Sequence, residues 1–315
     1  MTMTVGLLGC YGFLGSHILK ALCDANIAVT GIDRYNSVPA WRKAIVPPGF
    51  KATPGDLMDE QTHAETLGTV DAIVFAAGNP VPTSTSFDLL FGEELRIVVN
   101  LLAFLARENP GAKLVFISSG GTVYGDRPIG ALCREDEPLS PVSLYGVMKA
   151  ACENAIRVYA RRYGLNATIL RAANPYGPGQ NPKAAQGLVP VVLYKLISGE
   201  KIDIWGDGHV YRDYFYVEEL GRLVAMIVQG GFSGGTFNAG SGRGVSVMEI
   251  VELAAAVTGR VSDIRFHPPR PQDLHWNALS TEKTRQQFGW EPRVPLEEGL
   301  AETARWIRAC LEGLK

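Results

Sequence analysis

Apolar residues along this chain come in short unbroken runs, and between the runs they fall at helical spacing. Thr4-Val-Gly-Leu-Leu-Gly9 is such a run, followed by Gly9, Gly12 and Gly15, a helical pattern from Ser16 to Ala25, and a second run from Ile27 to Asp33. That order predicts strand, glycine turn, helix, strand, which is a βαβ unit. Val70 to Ala76, Lys113 to Ser118 and Ala167 to Arg171 repeat the strand signature, and Leu89 to Arg107 and Leu144 to Tyr163 read as helices between them. Apolar strands alternating with helices require a parallel sheet covered on both faces, a doubly wound α/β fold.

After Asn174-Pro-Tyr-Gly-Pro-Gly179 the texture changes to short elements punctuated by proline and glycine, through Gly206-Asp-Gly208 and Gly240-Ser-Gly242, to a terminal amphipathic helix from Leu296 to Leu311. Residues 1–175 are expected to form the larger domain, with a return to it around 210–240, and 176–315 a smaller, intertwined substrate lobe. A chain of 315 residues exceeds the size at which one core usually stops growing. There is no internal repeat.

The formal charge of -2 gives no reason to expect nucleic acid or an anionic membrane as a partner. Cys10, Cys23, Cys133, Cys152 and Cys310 are odd in number and form no Cys-x-x-Cys pair, which fits reduced packing thiols and no metal site. The first strand begins by Thr4 or Val5, and no apolar run approaches the ~20 residues of a membrane span, so a cytoplasmic location is the expectation.

Gly9-Cys-Tyr-Gly12-Phe-Leu-Gly15 lets the backbone turn sharply and come close to a pyrophosphate resting on the amides of a helix N-terminus. The spacing departs from Gly-x-Gly-x-x-Gly, and a glycine triplet is a weak signal among 35 glycines. Its context, after a strand, opening a helix and followed about twenty residues later by Asp33 at a strand end, is that of a Rossmann-type dinucleotide site. A carboxylate there takes ribose hydroxyls and repels a 2′-phosphate, favouring NAD over NADP, with Arg34 next door moderating the preference. Asp56 in Gly55-Asp56-Leu57 reads equally as an adenine neighbour or a plain turn residue.

Tyr145 and Lys149 stand four apart on a predicted helix and so share a face. At ~4 Å and an effective dielectric of ~20, the Lys149 charge would favour a Tyr145 phenolate by about 4 kcal/mol, enough to lower a free pKa of ~10 by up to ~3 units. A tyrosine so tuned is a general base. A solvated lysine beside a half-buried tyrosine has the same spacing, so the pair carries weight only in its setting.

That setting comprises Ser118-Ser-Gly-Gly-Thr-Val-Tyr-Gly125, Pro141-x-Ser143-x-Tyr145-Gly-x-x-Lys149, Arg171-x-x-Asn174-Pro-Tyr-Gly-Pro-Gly179, Gly206-Asp-Gly208 with Arg212-Asp213, and Arg270-Pro-Gln-Asp273. With the glycine triplet, these blocks resemble the extended short-chain dehydrogenase/reductase family over nearly the whole chain. They are most similar to its nucleotide-sugar epimerases and dehydratases of the UDP-glucose 4-epimerase type.

The resemblance implies NAD as cofactor, Tyr145 as the base at the sugar 4-hydroxyl, and Lys149 on the nicotinamide ribose. It also implies cofactor contacts at Phe13, Leu14, Leu57, Phe75, Ala76, Ala77 and Ser118. On the substrate side it implies Asn79, Gly120, Asn174, Leu188, Val189, diphosphate-binding Arg212 and Arg270, and Asp273 near the nucleotide ribose. Asn277 falls where the family sets the bulk tolerated at the sugar. Members often form homodimers through two helices per subunit, here Leu89 to Arg107 and Leu144 to Tyr163. In isolation Arg212 with Asp213, or Arg270 with Asp273, would read as surface ion pairs, and Asn174 as a turn residue before proline.

One position departs from the family. Where a Ser or Thr usually contacts the reacting oxygen stands Gly120, and strand-like alternation would put Thr122 on the same side. Thr122, a sugar hydroxyl or a water is expected to supply the contact. Gly121 and Thr122 also replace the acids of the family's dehydratases and decarboxylases, which leaves 4-epimerisation by transient C4 oxidation as the simplest chemistry. The alternatives are a 4-ketoreductase or decarboxylase of the same family, or a dinucleotide-binding protein without catalysis.

Overall fold

The computed structural model describes residues 3–78, 93–183, 187–230, 234–270 and 273–312. The chain lays down β1 (Thr4–Leu8), β2 (Ala28–Asp33), β3 (Thr53–Pro54), β4 (Ala72–Phe75), β5 (Lys113–Ser119) and β6 (Ala167–Ala172) as neighbours in one sheet. It then leaves through β7 (Asn174–Tyr176), β8 (Ile202–Trp205) and β9 (Tyr211–Tyr216), and returns with β10 (Gly235–Ala239) beside β6. The order is β10-β6-β5-β4-β1-β2-β3 and each pairing is parallel, with Leu7 opposite Gly31 on one side and Val74 on the other. This is the Rossmann-type α/β sheet expected from the strand and helix periods.

Because side chains alternate along a strand, the sheet builds two cores. Val5, Leu7, Val74, Val115 and Leu170 face a layer holding α1 (Phe13–Asp24) and α7 (Val217–Gly230). Leu8, Ile73, Phe75, Phe116 and Ile169 face a layer holding α2 (Glu60–Leu67), α3 (Arg96–Glu108) and α5 (Leu144–Tyr163). Full burial of each such side chain contributes roughly 1.5–3 kcal/mol. The short α4 (Gly120–Val123) follows β5 directly.

α5 has the limits its pattern predicts. The Ser143 hydroxyl caps it by accepting the Gly146 amide, and Gly164 ends it in the left-handed conformation. The predicted helix from Leu89 is described only from residue 93, where a π-helical turn over 93–95 leads into α3. Val98, Leu102 and Leu105 of its apolar stripe are core against the sheet.

In the second lobe β9 is flanked by β7, antiparallel β11 (Gly244–Ser246) and β13 (Trp276–Asn277), and β8 pairs with β12 (Ile264–His267). α6 (Leu188–Ser198), α8 (Val247–Thr258) and α10 (Leu296–Glu312) enclose its core around Leu193, Ile250 and Leu300. A capping box of Ser246 and Glu249 opens α8. Residues 279–290 return to the first core, which the glycine- and proline-rich texture did not predict. Leu279 and Trp290 are buried there, and α9 (Glu282–Phe288) packs on β10 and α7.

Among the described residues no helix is long and apolar enough to cross a membrane, and no group of His, Cys, Asp and Glu is placed to hold a metal ion.

His17 on α1 lies at the seam between the glycine turn and the second lobe, its Nε2–H donating to the Pro178 carbonyl at 2.8 Å. Burial lowers its pKa from 6.5 to about 4. The folded protein therefore binds fewer protons than the unfolded chain between those values, and stability present above pH 6.5 is lost as pH falls towards 4. The loss amounts to at most about 3 kcal/mol. Thermal melts from about pH 7 to about pH 4.5 are expected to show a shallower decline for His17→Gln than for wild type; parallel curves would refute the assignment.

Candidate active site

The strand order reverses between β1 and β4, so the carboxyl ends of β1, β2 and β4 open a crevice, the place where doubly wound sheets bind ligands. A cavity of about 530 Å³ lies there. Gly9 turns at φ +81°, and a side chain on Gly15 would place its Cβ 1.9 Å from the Gly9 carbonyl, so glycine is what lets α1 start this close to the turn. Gly12 precedes α1 and offers no side-chain cap, which leaves amides of the first turn without a cap partner and the helix dipole directed at the crevice. An anionic pyrophosphate fits that cradle.

Gly9, Gly12, Asp33, Arg34, Asp56 and Leu57 all line the cavity, as do Phe75, Ala76 and Ala77. Asp33 accepts the Tyr11 amide at 2.8 Å and the Tyr35 amide at 3.1 Å, so it also fixes the turn against β2. Asp56 accepts the Met58 amide at 2.9 Å, as a turn residue does, and also lines the cavity. Phe13 and Leu14 open α1 beside the cradle without lining the cavity. Arg42, absent from the sequence reading, straps the turn by donating to the carbonyls of Tyr11 and Gly179.

Behind Glu94 and Met148, which line the cavity, Tyr145 and Lys149 are buried together, the ammonium 5.7 Å from the Tyr145 ring centroid. Lys149 Nζ donates to the Ile117 carbonyl at 3.2 Å and to Glu94 Oε1 at 2.5 Å. Burial opposes the Lys149 charge, but Glu94 outweighs it and the pKa rises. For Tyr145 the net direction corrects the expectation. Burial raises its pKa, Lys149 lowers it, Glu94 raises it again, and the balance is upward. Burial is the leading cause; the Lys149 charge works against it, and the Glu94 carboxylate offsets part of that relief.

Glu94 was missed in the sequence. Its signal was a charged residue at a core register position, four before Val98 and eight before Leu102.

Residues 120–123 form a helical turn, so the strand-like alternation expected for Gly120 and Thr122 does not exist. Thr122 is half-buried, its hydroxyl donating to the Ser119 carbonyl at 3.3 Å. Its carbonyl faces Gly146, which sets it beside the start of α5. The Ser118 hydroxyl, expected at the cofactor, turns into the core and donates to Glu153 at 2.6 Å. Asn277, expected beside the sugar, is wholly buried, and its side-chain amide donates to the Gly120 carbonyl at 3.3 Å, which ties it to α4.

Asn174 is half-buried beside Gly121 and donates to the Asp213 carbonyl at 3.1 Å. Arg212 is anchored by the Tyr211 and Leu274 carbonyls, and Arg270 stacks 3.8 Å over the Trp205 ring centroid. Neither forms the ion pair that isolated reading suggested. Asp213 instead accepts the amides of Ser241, Gly242 and Leu279. Asp273 is exposed, while Val189 is committed to the second core with Leu188 packed against it. Asn79 lies outside the described residues.

A glycine turn on a β1–α1 junction, a ribose-side carboxylate and a buried Tyr-x-x-x-Lys define a dinucleotide-dependent enzyme class. Residues 5–240 match the model of the NAD dependent epimerase/dehydratase family, and the chain belongs to that family, within the extended short-chain dehydrogenases/reductases. NAD is the cofactor of this family.

The chain is 32% identical over 306 residues to a UDP-glucose 4-epimerase of Mycolicibacterium smegmatis, covering 95% of this chain and 97% of the relative. Its fold matches the UDP-glucose 4-epimerase of Thermotoga maritima, solved with UDP-glucose, at a TM-score of 0.88 and 29% identity over 98% of this chain and 100% of the other. A UDP-glucose 4-epimerase of Thermus thermophilus, solved with NAD, gives 0.88 and 30% over 97% and 99%.

The packing at Gly120 explains the departure there. A Cβ would stand 2.5 Å from Leu279 Cδ1 and 3.0 Å from the Arg171 carbonyl, and Leu279 is itself fully buried. Gly120→Ser is expected to cost roughly 1–3 kcal/mol by overpacking. Adding Leu279→Ala should make the double variant lose less than the two single losses combined. A Gly120→Ser protein that melts with wild type in calorimetry would show that the seam has slack.

Proposed function

We propose that this protein is an NAD-dependent nucleotide-sugar 4-epimerase whose substrate is a UDP-hexose. The observation that carries the reading is the buried Tyr145–Lys149 pair, joined through Glu94 to the wall of a crevice that also holds the dinucleotide cradle. Bound NAD would supply hydride chemistry, accepting hydride from sugar C4 and returning it to the opposite face. Tyr145 takes the proton of the 4-hydroxyl and later gives it back. Lys149 lowers the cost of the phenolate and meets the ribose. Asn174 and α4 border the space beside Tyr145. Arg212 and Arg270, each without a carboxylate partner among the described residues, grip the diphosphate through guanidinium forks.

Epimerisation needs no net oxidant and no second acid. With Gly121 and Thr122 at the position where dehydratases of the family carry acids, elimination has no carboxylic acid on α4. The cytoplasm is the proposed location. A homodimer is proposed through α3 and α5, the latter exposing Val147, Val158 and Tyr163.

Incubation with NAD and a panel of UDP-, dTDP- and GDP-sugars, followed by NMR, is expected to show two C4 epimers at equilibrium without accumulation of NADH. Stoichiometric NADH or a stable keto product would overturn the reading. Tyr145→Phe should bind NAD as wild type does and lose roughly 10²- to 10⁴-fold in kcat. Turnover close to wild type in that variant would remove Tyr145 as the base.

A further inference from the structure

Glu94 is a charged residue of the inner site that the proposed chemistry does not use, and it is built in with care. Its carboxylate is 7% exposed and in contact with an ammonium that is 5% exposed. The π-helical turn over 93–95 presents it, an irregularity that recurs at functional sites. Gly78 leaves room for it, since a Cβ there would come within 2.9 Å of Glu94 Oε2. Glu94 and Gly78 both line the cofactor cavity, so the carboxylate is anchored on Lys149 at one end and faces the crevice at the other.

A buried cation needs one counter-charge. In the cofactor-free protein Glu94 supplies it, so a phenolate on Tyr145 would be a second anion beside a single ammonium. The groups bearing on Tyr145 are Lys149 and Cys152 from α5 and Glu94 from the π turn, while β5 contributes only the Ile117 carbonyl and the Phe116 ring around Lys149. With Glu94 neutral, the phenolate itself would become the partner of Lys149.

We propose that Glu94 is a positioning residue that holds Lys149 in place and keeps Tyr145 in its phenol form until the positive charge of an oxidised nicotinamide enters the crevice. The site then ionises its base only when loaded. The upward direction of the Tyr145 pKa, in which burial leads and Glu94 contributes, agrees. The proposal rests on the reading of Tyr145 as the base, and it assigns Glu94 a function in the timing of that base.

While Lys149 stays protonated, removing an anion beside Tyr145 stabilises its phenolate and lowers the pH at which it ionises. Ultraviolet difference titration of tyrosinate in the cofactor-free protein, each sample corrected by its Tyr145→Phe counterpart, reads this without any turnover. The Glu94→Gln transition is expected about one pH unit below wild type. Glu94→Asp, which keeps the charge, should stay with wild type. The acidic limb of kcat/KM with NAD should move the same way in Glu94→Gln.

Coincident wild-type and Glu94→Gln titrations would overturn the proposal, and so would equal displacement of Glu94→Asp and Glu94→Gln, which would mark a packing effect. Glu94→Asn serves the same comparison if Glu94→Gln does not fold. Because the absorbance titration needs no sugar, a failure of the epimerase reading leaves its outcome intact.

Discussion

The active-site half of the molecule depends on one buried ion pair, Glu153 of α5 with Arg171 of β6. Glu153 is fully buried and accepts Arg171 Nη2 at 2.8 Å, Arg171 Nε at 3.0 Å and the Ser118 hydroxyl at 2.6 Å. Burial pushes its carboxyl up, but Arg171 and Ser118 outweigh that and hold it below the usual carboxylate range. Arg171 continues to the Tyr124 hydroxyl at 2.8 Å, and Tyr124 donates to Asn238 of β10 at 2.7 Å. An uncompensated charge in such a place costs about 3–5 kcal/mol, so the pair leaves α5 a single rotation against β5 and β6. Lys149 lies one turn before Glu153 on the same face, and that rotation delivers it and Tyr145 to the crevice.

Two buried charge pairs on consecutive turns of one helix therefore do different things. Glu153 with Arg171 is closed in that the Glu153 lone pairs are taken by β5, β6 and the half-buried Arg157 of α5 itself. Lys149 with Glu94 is open, because Glu94 sits on the cavity wall. The closed pair supplies rigidity and the open pair supplies a charge balance that a ligand can change. A base needs both, since a phenol whose position drifts gains nothing from a tuned charge.

Periodic features were legible in the sequence. The strands, the limits of α5 and the glycine turn follow from apolar runs, a Ser cap and close backbone approach, all local properties. Long-range satisfaction was not legible. Ser118 was read as a cofactor contact because nothing local says that Glu153, 35 residues later, claims its hydroxyl. Asn277 was read as facing the sugar, yet its burial depends on how β13 pairs with Arg212 of β9. The alternation expected at Thr122 failed for a local reason: a β5 pattern was extended too far, into a helical turn. Glu94 was visible as a charge in an apolar stripe, but its partner lies 55 residues away.

The glycine at position 120 belongs to the same argument about partners. A hydroxyl missing from α4 looks like a defect when the site is considered alone. Seen from the second lobe it is a seam: Leu279 fills the space, and its amide donates to Asp213, which also gathers Ser241 and Gly242. Asn277, two residues earlier, holds the Gly120 carbonyl. The segment that carries these contacts bridges to Cys133, whose amide bonds the Ala278 carbonyl at 2.8 Å. Position 120 is thus part of how the second lobe closes on the first. A side chain there would alter packing against Leu279 first, so the identity of residue 120 is constrained jointly with residue 279.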